Sequence, residues 1–353
     1  MWVIFLLKKF CLLLCFMLII PNNAFASEIT ISAQSAVVMD AYTKTVLFRK
    51  EADIKRAVAS TTKIMTCLIA CESKRLNEKV KITNEMLLGC EGSLIYLKEG
   101  DVITLYDLVC GAMIASGNDA ANAIAYYLSG GIEEFAGLMN LKAKEFGMNS
   151  TEFVTPSGLD EKNNHSTAFD MALLASEAVL NKELLEIASK KSAEITINNK
   201  KQTIYNHNKL LSYSDDYIGI KTGFTKKAGR CLISAYNFGG SIIVCVTLSA
   251  SDDWNDHKTL VNFAKKCYKD INQMDVLKIN TVGADKNSVE GRCELSVKAL
   301  GKVEVKRYYY PFAYAPINKG DKLGKEEIYI NKKLMKTADI TANEDVKIWQ
   351  TMK

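Results

Sequence analysis

The chain has 353 residues and a formal net charge of +5, which leaves room for two ordinary domains or one large one. Its apolar share of 48% and charged share of 24% are those of a folded soluble protein, so disorder is not expected. There is no long basic run and no Lys/Arg stripe interleaved with aromatics, which argues against a nucleic-acid partner.

Lys8 and Lys9 precede an apolar run over residues 10–20. Pro21-Asn22-Asn23-Ala24-Phe25-Ala26 follows, ending in an Ala-x-Ala pattern. A basic patch, a short apolar core and small residues at a cut site make a secretory signal peptide. The run is short for a membrane span. Cleavage after Ala26 is expected, leaving an exported chain of about +3. The apolar stretch over residues 2–7 leaves an uncleaved anchor as the alternative. No second span is expected, and the C-terminal segment Ile348-Trp349-Gln350-Thr351-Met352-Lys353 is too short for an amphipathic anchor.

Beyond the signal stand Cys67, Cys71, Cys90, Cys110, Cys231, Cys245, Cys267 and Cys293. An even count in an exported chain invites disulfides. Most of these residues sit in apolar runs such as Ile242-Ile243-Val244-Cys245-Val246, so the preferred reading is small buried hydrophobes. No Cys-x-x-Cys pair occurs, and His165, His207 and His257 are far apart, so no metal site is expected.

Residues 36–40 and 45–48 flank a polar turn and predict a hairpin. A helix follows over 60–73, with Ile64, Met65, Leu68, Ile69 and Cys71 nearly encircling it, which predicts burial. The region 80–190 reads as mostly helical, with helices over 105–114, 120–128, 133–146 and 168–180. Strands are predicted over 192–197, 218–222, 231–236 and 241–249, and a closing helix over 256–270, with His257 at its start. Beyond about 275, short alternating segments at 303–305, 308–310 and 328–330 predict a small all-β module. The class is therefore α+β.

Ser60-Thr61-Thr62-Lys63 opens the predicted buried helix. Residues three apart share a helix face, so the Lys63 amine can reach the Ser60 hydroxyl. A serine needs a base, and a lysine serves when burial or nearby positive charge depresses its pKa. Ser116-Gly117-Asn118 falls between two apolar helices, and Lys221-Thr222-Gly223 ends a strand. Each motif alone is weak, because Ser-x-x-Lys is frequent and the other two are ordinary turn and strand-end sequences. The three together, in this order, are known from penicillin-binding proteins and class A β-lactamases. In that chemistry Ser60 attacks a carbonyl and Ser116 relays a proton from Lys63 to the leaving amine. Lys221 adds positive charge and, with Thr222, faces a substrate carboxylate. Gly223 permits close backbone approach, and the N–H groups of Ser60 and Phe224 form an oxyanion hole.

The chain resembles the low-molecular-mass penicillin-binding proteins that act as D-alanyl-D-alanine carboxypeptidases. The resemblance runs from about residue 30 to 270. It includes Ala59-Ser60-Thr61-Thr62-Lys63-Ile64-Met65-Thr66, Leu97-Lys98-Glu99-Gly100-Asp101 and Ala115-Ser116-Gly117-Asn118-Asp119-Ala120-Ala121. Further matching segments are Phe153-Val154-Thr155-Pro156-Ser157-Gly158-Leu159, Asn206-His207-Asn208-Lys209-Leu210-Leu211 and Gly219-Ile220-Lys221-Thr222-Gly223-Phe224-Thr225. It implies a β-lactamase/transpeptidase-like domain over 27–272, an antiparallel sheet with flanking helices and a mostly helical lobe. A small all-β domain over 273–353 follows, and residues 1–26 are the signal.

The implied roles are Ser60 as acyl-ester nucleophile, Lys63 as proton acceptor and Ser116 as second catalytic hydroxyl. Asn118 would contact the substrate amide, and Lys221 and Thr222 its terminal carboxylate. The implied substrate is a peptidoglycan stem peptide ending in D-Ala-D-Ala, with β-lactams as covalent inhibitors and no cofactor. A monomer with no stable membrane anchor is expected. The segment Ser251-Asp252-Asp253-Trp254-Asn255-Asp256-His257 resembles members linked to spore cortex maturation. The alternatives are a DD-endopeptidase or β-lactamase on the same scaffold, and a non-catalytic β-lactam sensor or wall-binding protein. No Glu-x-x-Leu-Asn segment follows Ser116, and the trailing β module also speaks against the lactamase.

Overall fold

The strand Ser35–Asp40 is wholly buried and pairs with Val46–Lys50 through a turn that its own last residue builds. The Asp40 carboxylate accepts from the backbone N–H of Tyr42 at 3.1 Å and of Thr43 at 2.8 Å, an aspartate-nucleated reversal. The structure, a computed structural model, describes residues 29–159, 163–330 and 332–349; the expected signal segment lies outside them. On its other edge Ser35–Asp40 pairs antiparallel with Ser241–Ala250. A five-stranded sheet results, in the order Val46–Lys50, Ser35–Asp40, Ser241–Ala250, Gly229–Phe238, Tyr217–Thr225. Every pairing is antiparallel.

Side chains alternate across the sheet and meet two layers. Val37, Met39, Ile233, Val244 and Val246 join one core with the helices Lys63–Glu72, Leu105–Met113, Asn118–Ser129 and Ala168–Ala178. Two of these helices begin on threonine caps: Thr104 Oγ1 accepts from Asp107 N and Thr167 Oγ1 from Asp170 N, both at 3.0 Å. Cys67, Cys71, Cys110 and Cys245 are buried free thiols, the small-hydrophobe role. Ser192–Ile197 does not join the main sheet; it pairs with Lys200–Tyr205 in a separate hairpin, a strand the sequence reading missed.

The opposite sheet face carries the helix Asp253–Lys265, which starts and ends earlier than the expected 256–270. His257 is therefore not at its start. It lies inside the helix, fully buried, with Nδ1 2.6 Å from Ser234 Oγ and Nε2 2.9 Å from Thr247 Oγ1. Burial pushes its pKa down to about 3, so the ring is a neutral strut between strands. The acidic residues that obscured this helix have tertiary partners. Asp256 accepts from the backbone N–H of Ser32 and Ala33, each at 2.8 Å.

From Lys269 onward the chain forms a second, six-stranded sheet. Its order is Val303–Tyr309, Lys322–Ile330, Lys333–Ala342, Ser288–Ala299, Lys269–Val282, Phe312–Tyr314. The expected segments 303–305 and 308–310 fall on one continuous strand, Val303–Tyr309, which stops one residue short of the expected end. Ile279, Val289, Leu295, Val297, Ile328 and Ile340 make a core of their own, separate from that of the first sheet.

Candidate active site

The Ser60 turn is tight. Ala59–Thr62 form a 3₁₀ turn, and the α-helix proper starts at Lys63 rather than at residue 60. Ala59 sits at φ +48°, in the left-handed region that an alanine occupies only under constraint. Thr61 Oγ1 donates to Val58 O at 2.6 Å and locks the turn. Ser60 is half-buried at its tip.

Lys63 is fully buried one turn later. Its Nζ donates to Ser60 Oγ at 2.8 Å and to Ser157 O at 2.7 Å. Burial holds its pKa well below the ordinary lysine value, and the positive charge of Lys221 pushes it further down. Gly158, next to the carbonyl that receives Lys63, has φ +78°, and a Cβ there would lie 2.0 Å from Ala59 O. Only glycine lets this segment press against the serine turn.

Ser116 stands between the helices Leu105–Met113 and Asn118–Ser129, also with positive φ, +62°. Its loop is pinned by Gly117 N donating to Gly111 O at 2.9 Å and Asn118 N donating to Ser93 O at 2.8 Å. The Asp119 carboxylate accepts from Ile95 N and Leu97 N at 3.1 Å, which draws residues 93–97 against the loop. Asn118 is buried, and its Nδ2 donates to Glu91 O at 2.5 Å. Its Oδ1 is buried with no partner among the described residues.

The strand Tyr217–Thr225 closes the site. Lys221 is fully buried, and its Nζ donates to Thr222 O at 3.0 Å. Burial pushes its pKa down to about 8. A Cβ on Gly223 would come within 3.1 Å of both Ser60 N and Thr61 N, so a bare backbone lies against the Ser60 turn. Phe224 is 66% exposed beside it.

These elements enclose a cleft of about 470 Å³ lined by Ser60, Ser116, Thr222, Gly223 and Phe224. The structure thus brings five of the eight sequence-predicted residues to one wall. Lys63, Asn118 and Lys221 are buried and do not line the cleft; Lys63 is bonded to Ser60 Oγ and Lys221 to Thr222 O. The cleft also contains residues that sequence reasoning did not select: Ser93, His207, Arg230, Asp253 and Trp254. His207 was visible in the segment Asn206-His207-Asn208, but nothing in its spacing tied it to Ser60. Its pKa is lowered by burial and by Lys221. Ser157 was equally hidden, because it contributes a backbone carbonyl, which no side-chain pattern reveals.

Residues 22–252 match the model of the D-alanyl-D-alanine carboxypeptidase family. The chain belongs to this family. The carboxypeptidase is 30% identical to DacF of Bacillus subtilis, a D-alanyl-D-alanine carboxypeptidase, over 91% of this chain and 87% of that protein. It is also 30% identical to DacC of Escherichia coli, over 94% of this chain and 90% of that protein. Among solved structures it is similar to penicillin binding protein 5 from Haemophilus influenzae. The TM-score is 0.64 and the identity 26%, with 90% of this chain and 98% of that chain covered. DacD from Francisella tularensis matches with TM-score 0.64 and 25% identity, over 92% and 96% of the two chains. The carboxypeptidase is accordingly a serine-type, penicillin-binding hydrolase of α+β fold with a C-terminal β domain.

Proposed function

We propose that this enzyme removes the terminal D-alanine of peptidoglycan stem peptides ending in D-Ala-D-Ala, through an acyl-enzyme on Ser60. The observation that carries the reading is the buried Lys63 amine, 2.8 Å from Ser60 Oγ and beside a second buried lysine. Both effects favour the neutral amine, which is the form that accepts a proton. Ser157 O takes one N–H of that amine and holds the nitrogen beside Ser60 Oγ, within reach of the serine proton once the amine is neutral.

Ser60 Oγ then attacks the carbonyl of the penultimate D-alanine as its proton passes to Lys63. The N–H groups of Ser60 and Phe224 hold the tetrahedral oxyanion. The proton moves from Lys63 through Ser116 Oγ to the leaving nitrogen, and D-alanine departs. Water enters by the same route in reverse, with Lys63 again accepting the proton, and hydrolyses the ester. A β-lactam follows the first half and stays attached, because its leaving group remains tethered to the acyl chain. Asn118 supports the substrate's amide side of the cleft, and Lys221 and Thr222 its carboxylate side. The enzyme works outside the cytoplasmic membrane as a monomer; the N-terminal basic, apolar and Ala-x-Ala pattern supports export.

The deciding experiment incubates purified protein with diacetyl-Lys-D-Ala-D-Ala and measures free D-alanine. Ser60→Ala should abolish both release and labelling by a fluorescent penicillin. Undiminished turnover in that variant would sink the mechanism. Persistent acylation of the wild type without D-alanine release would favour a sensor.

A further inference from the structure

Asp119 follows Asn118 directly in the helix Asn118–Ser129 and is buried. Its carboxylate gathers three backbone donors. Ile95 N donates to both oxygens at 3.1 Å, Ala120 N to Oδ1 at 2.9 Å and Leu97 N to Oδ2 at 3.1 Å. Tyr96 stands between the two clamped residues of the remote segment. It sits at φ +66° and is 75% exposed. A tyrosine holds that backbone conformation only under constraint, and the bonds on either side supply it. The clamped segment is seated on the Ser116 loop. A Cβ on Gly111 would come within 2.8 Å of Ile95 Cδ1, and one on Gly117 within 3.2 Å of Ile95 Cγ2.

From this seat the segment reaches the cleft and Asn118. Ser93 lines the cleft, and its carbonyl accepts from Asn118 N at 2.8 Å. Glu91 O accepts from Asn118 Nδ2 at 2.5 Å, which commits that end of the amide. Asn118 Oδ1 stays without a partner among the described residues. One carboxylate therefore holds the wall that orients the Asn118 amide. The same carboxylate acts on the Lys63 amine. Burial lowers the Lys63 pKa most, Lys221 lowers it further, and Asp119 raises it. Cys67 and Cys90 would raise it only as thiolates, and burial keeps both thiols protonated at neutral pH. Asp119 is thus the negative charge that opposes Lys221 at this amine.

We propose, resting on the carboxypeptidase reading and deepening it, that Asp119 is a positioning residue of the reaction: it clamps the segment 91–97 against Ser116 and Asn118 and balances the Lys221 charge at the Lys63 amine. Geometry and charge are separable. The clamp needs both carboxylate oxygens in place, because Ile95 N and Leu97 N approach from one side of the group. The charge acts at a distance and tolerates a small displacement of those oxygens.

The test measures the rate of fluorescent-penicillin labelling against pH, with a thermal melt of each purified protein. Asp119→Asn removes the charge and sets an N–H against one of the clamped donors. Its plateau rate should fall about tenfold or more, as expected for misplaced groups at a reacting centre. Loss of a negative charge lowers the Lys63 pKa, so the neutral amine persists to lower pH. The acid limb should therefore move to lower pH, by roughly half a unit. Asp119→Glu keeps the charge and displaces the oxygens by one methylene. Its plateau should also fall, with the acid limb at the wild-type pH. An unmoved limb in Asp119→Asn, or a wild-type plateau in either variant, would overturn the assignment and leave Asp119 as a brace of the fold. Where Asp119→Asn does not fold, Asp119→Glu decides: a lowered plateau with an unmoved limb supports the role, and a shifted limb or an undiminished plateau overturns it. A wild-type protein that takes up no penicillin and hydrolyses no D-Ala-D-Ala peptide would instead refute the enzyme reading, and this role with it.

Discussion

Replacing Lys63 by methionine separates the chemistry of the site from its stability. Methionine keeps most of the volume of the buried stem and removes the amine. Loss of a general base costs about 10²–10⁴-fold in rate. The fold should respond in two opposing ways. Exchanging a buried ionisable group for a packed apolar one is often neutral or stabilising by about 1–4 kcal/mol. Leaving Ser157 O without its donor costs about 1–3 kcal/mol. The net change should lie between about 3 kcal/mol of stabilisation and about 3 kcal/mol of destabilisation, a midpoint shift of about 5 °C at most for a chain of this size.

The assay pairs the rate of fluorescent-penicillin labelling with a thermal melt of the same sample. The expected result is a labelling rate down by at least about a hundredfold with the melt nearly unmoved. The pH profile adds a sign. In the wild type, acylation should fall as pH drops through the lowered Lys63 pKa, because the protonated amine cannot accept the serine proton. The residual rate of Lys63→Met should lack that limb. Labelling at the wild-type rate would refute Lys63 as the base. A melt lowered by more than about 10 °C would show that the lysine is a structural strut, and the rate loss would no longer speak to catalysis.

Two further predictions concern the scaffold. Gly223→Ala places a Cβ 3.1 Å from Ser60 N and Thr61 N, so strand and Ser60 turn must part by a few tenths of an ångström. Acylation should fall about tenfold or more, as expected for misplacement at a reacting centre, with the melt little changed; wild-type kinetics would show that the contact is slack. His257 has its pKa pushed down to about 3 in the folded state from an ordinary 6.5. Between those values the unfolded chain binds the proton and the folded one does not, so stability must fall as pH falls through that window. His257→Gln should flatten this part of the acid-unfolding curve, and an identical slope in the variant would contradict the neutral-strut assignment.

The pairing of Ser60 with Lys63 was legible from the sequence because it is local. A separation of three residues fixes a shared face whatever the rest of the chain does. The hairpin at Asp40, the buried serine helix and the change to β texture after about residue 190 were legible for the same reason, since periodicity and turn chemistry act over a few residues. Tertiary structure decided what surrounds that pair. Ser157 lies 94 positions from Lys63 and reaches it with a backbone carbonyl. Lys221 tunes the same amine from a strand that finds its place only when the two chain halves close one sheet. Arg230 and Asp253 meet through an edge-strand register and a helix whose polar first turn concealed its start. Spacing along the chain therefore determined that Ser60 and Lys63 share one face, the pair proposed as nucleophile and base. The depressed pKa, the close approach at Gly223 and the cation on the cleft wall depend on burial and distance between remote segments, which only the folded sheet sets.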